Sequence, residues 1–411
     1  MTLGDLVDAR VGIVRSCTRL SKGRTEPVLP VVYQAVLSHF DYRKGSVAER
    51  TASGKGATDD AAWTGALVEA LERYCAYQQR PDMVVRATAA ALDAPAIAPE
   101  ALVLYSERQY ARPDFRYRRP RADEELTWVR GELVGGGGLV YVPAALVYMN
   151  FGGPGGRELF TPTTSNGLAG GPDLESATLA GLYEVIERDA FLLTWMHRGP
   201  AKHIDLDAVD GPVAAARRHY ARHGIELHAF DVTSDVGVPV AMAMTVDRTG
   251  GGPAAVVGLG CNVDGRVALE RAVMEVGQVR VGAVPRHRRE PRLLARYEDV
   301  HTLEDHAAFA ALPEHLGEFD FLLGATATAT PPPAPTGDGP DLEVVRERLE
   351  AVGATVAVVD LTQPDVEPFG VRVVRALATG LQPIHFGYGE ERLGGPRVRE
   401  DELNPCPHPI A

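Results

Sequence analysis

An α/β fold is the class this chain predicts, and three observations predict it. Apolar runs of helical period alternate with short runs rich in Val, Leu, Tyr and Trp along most of the 411 residues, the rhythm of helices layered on sheets. A hydrophobic fraction of 45% suffices for a large core, and the length fits one large domain or two to three ordinary ones. Three helical runs also carry polar residues on one face of an otherwise apolar helix. Glu69, Glu72 and Arg73 lie in ALVEALERYC, Glu184, Glu187 and Arg188 in GLYEVIERDAF, and Arg271, Glu275 and Gln278 in ALERAVMEVGQVR. Residues at i, i+3, i+4 and i+7 share a helix face.

The net charge of −13 argues against non-specific binding to nucleic acid or to an anionic membrane, since both need basic surfaces. No apolar run reaches transmembrane length, and the start, MTLGDLVDARVGIVRSC, has no signal-peptide core. Cys17, Cys75, Cys261 and Cys406 are scattered and form no CxxC or zinc spacing. Reduced thiols in a cytoplasmic protein account for them.

Taken in order, residues 11–16 and 28–37 read as strands. The stretch 51–58, TASGKGAT, is Gly-rich with a lysine but is not a Walker A loop. It reads either as a turn or as a loop presenting backbone donors and Lys55 to a phosphate. A helix follows over about 59–79 and stops at Arg80-Pro81. Residues 87–100 are Ala-rich, with Pro95 and Pro99 limiting any helix. The basic stretch 112–121, RPDFRYRRPR, adjoins Asp123, Glu124 and Glu125 and reads as a solvated surface loop. Residues 126–133 and 139–148 predict two strands joined by Gly135–Gly138.

A Gly-rich turn, Asn166 to Gly171, then opens the second charged helix, with Pro172 and Asp173 as its start signal. Residues 212–223 predict a helix, 225–231, 238–246 and 254–260 strands, and the third striped helix starts near Asp264. The basic segment 285–296 reads as a surface loop, or as a patch for an acidic peptide or protein partner. Residues 325–340 are Pro-rich and predict a mobile surface loop. A helix over 342–352, strands over 355–361 and 370–377 and a turn at 380–383 complete the body. The end, residues 404–411, alternates Pro405, Pro407 and Pro409. Prolines in alternation force an extended tail, which predicts a rigid segment held in a set direction.

Charges in apolar helices are expensive to bury unless paired or bound to a metal. Converging carboxylates repel unless cations lie between them, and Mg²⁺ prefers a few carboxylates together with phosphate oxygens. The striped helices therefore predict a carboxylate-rich Mg²⁺–nucleotide site with arginines facing phosphate. One ExxER is a weak signal, because such pairs are common on solvated helix faces; two copies and a third polar stripe are harder to dismiss.

The motifs SGKGAT before ALVEALERYC, NGLAGG before GLYEVIERDAF, GLGCNVD before ALERAVMEVGQVR, RALATGLQPIHFG and the final PCPHP together resemble the YcaO-domain family. The closest likeness is to the stand-alone cyclodehydratases of azole-containing peptide biosynthesis. The resemblance spans nearly the whole chain and implies one large YcaO-type domain, residues 1–411, with helices packed on mixed β-sheets. It implies ATP and Mg²⁺ as cofactors, with Glu69, Glu72, Glu184 and Glu187 as metal carboxylates. Lys55, Glu69, Arg73, Glu184, Arg188, Arg271, Glu275 and Gln278 would contact the nucleotide. Arg188 and Arg271 would also stabilise developing charge. The family's usual Ser four residues before the first Glu is Gly65 here, with Thr64 beside it, so a hydroxyl contact is either missing or supplied by Thr64.

The PxPxP tail resembles that of azoline-forming members and would lie near the active site, with the Ala411 carboxylate or His408 as candidate bases and Cys406 a bystander. The implied reaction converts Cys, or Ser and Thr, of a ribosomal precursor peptide to thiazolines or oxazolines. The implied partners are that peptide and a leader-binding E1-like or ThiF-like protein, and a homodimer is implied by the same route. Any later oxidation to azoles would need a separate flavin enzyme. Two other readings stand beside it: a thioamide synthetase using external sulfide with a TfuA-type partner, against which the tail argues, and a scaffold whose ExxER sets form internal salt bridges.

Overall fold

A computed structural model describes residues 1–38, 50–290, 292–326, 328–331 and 339–410. The chain opens with three strands, β1 (Val14–Arg19), β2 (Val31–Leu37) and β3 (Thr51–Gly56). The SGKG stretch is thus not a loop but an edge strand, paired along β2 from Val36–Thr51 to Val31–Gly56. Helix α1 (Asp59–Ala76) follows at once, capped by the Thr58 side chain on the Ala61 N–H and begun with Asp59 and Asp60. Alternation buries Ala52, Gly54 and Gly56 of β3 against α1 and leaves Ser53 and Lys55 for the other face. A Cβ on Gly54 would stand 2.0 Å from the Ala62 carbonyl oxygen. Glycine there lets the strand lie directly on the helix, a packing reason for the motif that the sequence reading did not supply.

Strand β4 (Val84–Ala87), which ends where the Ala-rich stretch begins, precedes the short helix α2 (Glu107–Tyr110), β5 (Leu126–Leu133), β6 (Leu139–Pro143) and β7 (Leu168–Gly171). The β5–β6 hairpin turns through the four glycines as expected. Its second strand stops at Pro143 and passes into a 3₁₀ turn rather than running to Tyr148, because proline has no donor to continue the ladder. The basic stretch 112–121 is irregular. Its arginines lie over aromatic rings, Arg116 on Tyr117 at 4.9 Å and Arg119 on Tyr110 at 4.8 Å, or pair with acids such as Asp114 and Asp123.

Within the glycine run taken for a turn, residues 168–171 form β7 instead. Helix α3 (Leu174–Met196) then starts at Asp173, whose carboxylate accepts the Ser176 N–H at 2.7 Å. There follow β8 (Lys202–Ile204), α4 (Gly211–Ala221), β9 (Ile225–Asp231), β10 (Val240–Asp247), β11 (Ala255–Cys261) and α5 (Gly265–Arg289). The first part of the basic segment 285–296 is the last turn of α5, not a loop. Pro285 costs that turn one hydrogen bond, but Arg286, His287, Arg288 and Arg289 sit at the negative end of the helix dipole. Helices α6 (Leu303–Ala310) and α7 (Asp320–Leu323), β12 (Thr328–Ala329), α8 (Asp341–Ala351), β13 (Val356–Asp360) and β14 (Arg372–Ala378) complete the order. Residues 327 and 332–338 of the Pro-rich stretch lie outside the described residues, as does Ala411.

Three sheets result: β1-β2-β3; β11-β10-β9-β8-β12; and β4-β5-β13-β14-β7 with β6 on β5. Among the described residues, every pairing between these strands is antiparallel except the short β8–β12 contact. Each striped helix joins two sheets. Helix α1 packs on β2 and β3 and also touches β7 and β14. Helix α3 packs on β7 and β14 and on β10 and β11. Helix α5 packs on β10 and β11 and on β2 and β3. The three helices therefore close a ring through the three sheets, and their polar stripes meet where the ring closes. A buried ion pair ties this ring further, with Arg280 of α5 holding both oxygens of Glu26 at 2.9 Å. No helix among the described residues is long and apolar enough to cross a membrane.

The two glycines that meet across the β3–α1 contact predict opposite outcomes. A Cβ on Gly65 would be 3.5 Å from Gly54 Cα, an ordinary contact. Gly65→Ala is therefore expected to stabilise the protein by about 0.5–1 kcal/mol through helix propensity, and Gly54→Ala to destabilise it by about 1–3 kcal/mol by prising strand from helix. Urea denaturation of the two variants checks both signs.

Candidate functional site

The three helix stripes converge. On α1, Glu69 accepts the Ser53 N–H of β3 at 3.0 Å and the Arg73 guanidinium at 2.8 Å. Glu72 accepts the Gly170 N–H of β7 at 2.6 Å. On α3, Glu184 accepts the Gly167 N–H at 2.9 Å. Glu187, only 8% exposed, stands 3.2 Å from Arg188. On α5, Glu275 pairs with Lys55 of β3 at 2.8 Å, and Gln278 donates to the Ser53 carbonyl and hydroxyl at 2.7 and 3.0 Å. Arg271 is more exposed, donating to the Cys261 carbonyl at 3.1 Å over the Tyr183 ring.

Three glutamates are thus held by backbone N–H groups of the glycine-rich strands. This explains the NGLAGG run better than a turn does. Gly167 has φ +79°, and a Cβ there would lie 2.2 Å from the Ala376 carbonyl oxygen, so only glycine places this N–H under Glu184. Ser53 was not anticipated: its N–H, carbonyl and hydroxyl join α1 to α5. A serine next to a glycine in a strand-length run was the only signal for it.

Crowding these acids raises their proton affinity. Burial first, then the charges of Glu69 and Glu184, hold the Glu72 carboxyl well above its ordinary range, against the pull of the Gly170 N–H and Arg73. Burial likewise raises Glu184. Glu187 is pushed up to about 7, by burial first and then by Glu275 and Glu184, with Arg188 and Lys55 opposing. Burial acts on Glu275 too, but Lys55 and Arg188 outweigh it and hold that carboxylate ionised. Of the two, Glu187 is the one that takes a proton. Carboxylates driven toward protonation by one another are what a divalent cation would relieve. The donor set fits Mg²⁺ with phosphate: among the described residues no three carboxylate, imidazole or thiol groups come close enough to cage a metal alone, and Mg²⁺ completes such partial sets with phosphate oxygens and water. Arg73 Nε is buried without a hydrogen-bond partner, which suits an oxygen of a bound anion, and Arg188 Nη1 faces the Glu187 carboxylate at 3.2 Å. The Thr64 side chain is exposed, and Gly65 lies against Gly54 and Lys55.

The proline tail docks beside this cluster. Pro405 is exposed, while Pro407 and Pro409 are buried. Trp195 Nε1 donates to the Cys406 carbonyl at 2.8 Å, and the Asn404 N–H donates to the Met196 carbonyl at 2.6 Å. His408 stacks on His306 with ring centres 4.1 Å apart and donates through Nε2 to the His385 carbonyl at 2.7 Å. Burial, then His306 and His385, hold the His408 imidazole well below its ordinary range, and Arg188 is near enough to add to the effect. The ring is therefore neutral, and its Nδ1 is buried without a partner. Burial raises the Cys406 thiol, an unreactive setting. The Ala411 carboxylate, the other candidate base, lies outside the described residues.

A family model described as YcaO cyclodehydratase, ATP- and Mg²⁺-binding, matches residues 53–382. An uncharacterised protein of Methanothermobacter thermautotrophicus is 31% identical over 350 residues, 83% of this chain and 84% of that protein. A heterocyclase solved in complex with substrate and cofactor superposes with a TM-score of 0.83 at 26% identity over 99% of this chain. The chain spans only 56% of that heterocyclase. YcaO from Methanopyrus kandleri, bound with AMPPCP and Mg²⁺, superposes with a TM-score of 0.64 at 25% identity, covering 90% of this chain and 86% of that one.

The tail's imidazole cluster predicts acid-labile packing. Burial lowers His306 to about 4 and holds His385 and His408 well below 6.5. Groups with depressed folded-state values contribute stability that is fully present above about pH 6.5 and lost as pH falls toward the folded-state value of about 4. Thermal melts between pH 7.5 and 5 are expected to show a falling Tm below pH 6.5. The slope should be shallower for His306→Phe, which keeps a ring against His408 and removes one titrating group.

Proposed function

This chain belongs to the YcaO family, and we propose that it is the azoline-forming cyclodehydratase of a ribosomal peptide pathway, using ATP and Mg²⁺. The observation that carries the reading is the meeting of three helices at one cluster of glutamates and arginines, beside a docked PxPxP tail. In this reading residues 1–411 act as one domain. Glu69, Glu72, Glu184 and Glu187 hold Mg²⁺, which when bound neutralises phosphate charge. Arg73, Arg188, Arg271 and Lys55 face the phosphates, while Glu275 keeps Lys55 oriented and Gln278 fixes the β3 backbone.

A Cys thiol, or Ser or Thr hydroxyl, of the precursor adds to the preceding backbone carbonyl. The resulting oxyanion takes the γ-phosphoryl group of ATP, releasing ADP. Cleavage of the C–O bond releases phosphate while the amide nitrogen gives up its proton and forms the C=N bond, and with the proton lost earlier from the thiol or hydroxyl this leaves the thiazoline or oxazoline. There is little covalent work for the protein in such a transfer. Its residues position the amide against the phosphate and balance charge. Arg188, whose Nη1 faces the Glu187 carboxylate at 3.2 Å, supplies a fixed positive charge where oxyanion and phosphoryl charge develop. The tail is a positioning wall on α3: buried Pro407 and Pro409 cannot fold back as helix, and neutral His408 lies edge-on to Phe191 of that helix. Precursor capture is assigned to a separate E1-like or ThiF-like partner, and the enzyme to a homodimer; both assignments rest on the family resemblance.

Mass spectrometry of a precursor incubated with the protein, its partner, Mg²⁺ and ATP tests the reaction. The expected product has lost one water for each modified residue, with ADP formed. Exchange of oxygen for sulfur, seen only when sulfide is added, would make the protein a thioamide synthetase instead. Glu187→Gln is expected to reduce Mg²⁺-dependent ATP binding at least tenfold, the scale of loss when a metal site is disturbed. Wild-type ATP affinity for that variant in a calorimetric titration would remove Glu187 from the metal site.

A further inference from the structure

We infer that a small cavity behind α3 receives a peptide amide of the substrate, with Arg375 donating to its carbonyl oxygen; the identity of that substrate rests on the cyclodehydratase reading. The cavity has a volume of about 60 Å³. Its wall includes Val185, next to Glu184, and Asn166, next to the Gly167 whose N–H holds Glu184. It therefore adjoins the carboxylate cluster. Thr163, Thr164 and Pro383 on its wall are partly exposed, so it reaches the surface.

Three polar side chains on the wall carry atoms with no partner. Arg375, 2% exposed, is anchored by Nε to the Val147 carbonyl at 3.1 Å and by Nη1 to the Thr164 and Asn166 carbonyls at 3.0 and 2.7 Å. Its Nη2 is unpartnered. Gln382, 1% exposed, gives Nε2 to the Arg392 carbonyl at 3.0 Å, which leaves its Oε1 unpartnered. Asn166 Oδ1 is the third such atom. A buried group left unpaired costs about 1–3 kcal/mol, and three around one cavity describe a ligand site.

One donor beside two acceptors is the complement of an amide, whose carbonyl accepts and whose N–H donates. Gln382 Oε1, its orientation fixed by the Arg392 carbonyl, repels a carboxylate, and the second guanidinium on the wall, Arg392, is turned to the Pro162 carbonyl at 2.8 Å. A nucleotide is too large for the volume. No carboxylate among the described residues pairs directly with Arg375: burial lowers the guanidinium to about 10, with Glu184 and Glu72 opposing from a distance. Neutralising those glutamates with a cation would leave the guanidinium still more attractive to a carbonyl oxygen.

Crystals of the protein soaked in N-methylacetamide, with acetate in parallel, test the site without a known precursor. The expected density places the amide oxygen on Arg375 Nη2 and its N–H on Gln382 Oε1. Water alone, or acetate binding where the amide does not, overturns the proposal. In turnover, Gln382→Met is expected to raise the KM for the precursor roughly tenfold with ATP affinity unchanged, the effect of about one lost hydrogen bond. An unchanged KM, or an equal loss of ATP affinity, also overturns it. If the amide binds but the wild-type protein converts no peptide, the cyclodehydratase reading fails while the site stands.

Discussion

Four glutamates crowded among buried helices repel one another, and the architecture around them exists to keep them in place. Three are hydrogen-bonded by something outside their own helix, Ser53 for Glu69, Gly170 for Glu72 and Gly167 for Glu184, and Glu187 is paired with Arg188 beside it on α3. Backbone N–H groups suit this role. They are donors of fixed direction with no side-chain entropy to lose, and they hold a carboxylate without neutralising it. The site is thereby left acidic enough to need a cation and rigid enough not to collapse when none is present.

Rigidity comes from the ring of three helices through three sheets. Because every striped helix is shared by two sheets, none can shift without disturbing two packed interfaces, and packed interfaces resist small displacements. Close strand-to-helix approach is what makes the ring tight, and Gly54 sets that distance on α1. Lys55 and Gln278 then carry the connection across β3, so that α1 and α5 are joined by polar contacts as well as by packing.

The tail extends the same logic. An extended proline segment has little freedom to lose on docking, and the three neutral imidazoles around it are costly to charge where they lie. Placing His408 within the reach of Arg188's charge connects the end of the chain to the carboxylate helix α3, although 220 positions separate residues 188 and 408.

Sequence by itself determined the α/β class, the three charged helices and the residues on their stripes, because helical period and a charge in an apolar run are both local signals. It also marked the glycine runs as special without giving the reason. Tertiary structure alone decided that SGKG is a strand, that residues 168–171 form another strand, and that the first part of the basic segment 285–296 ends a helix. It decided too that Ser53, Gly167 and Gly170 hold the carboxylates. Backbone donors leave no trace in a side-chain pattern, and a glycine needed for close approach reads the same as one needed for a turn. Arg375 is one of two arginines in an otherwise apolar strand, yet its unpaired nitrogen exists only because β14, the loop before β7 and the turn at Gln382 enclose one cavity. Which donors and acceptors remain unmade is a property of the packed chain, and no local reading can count them.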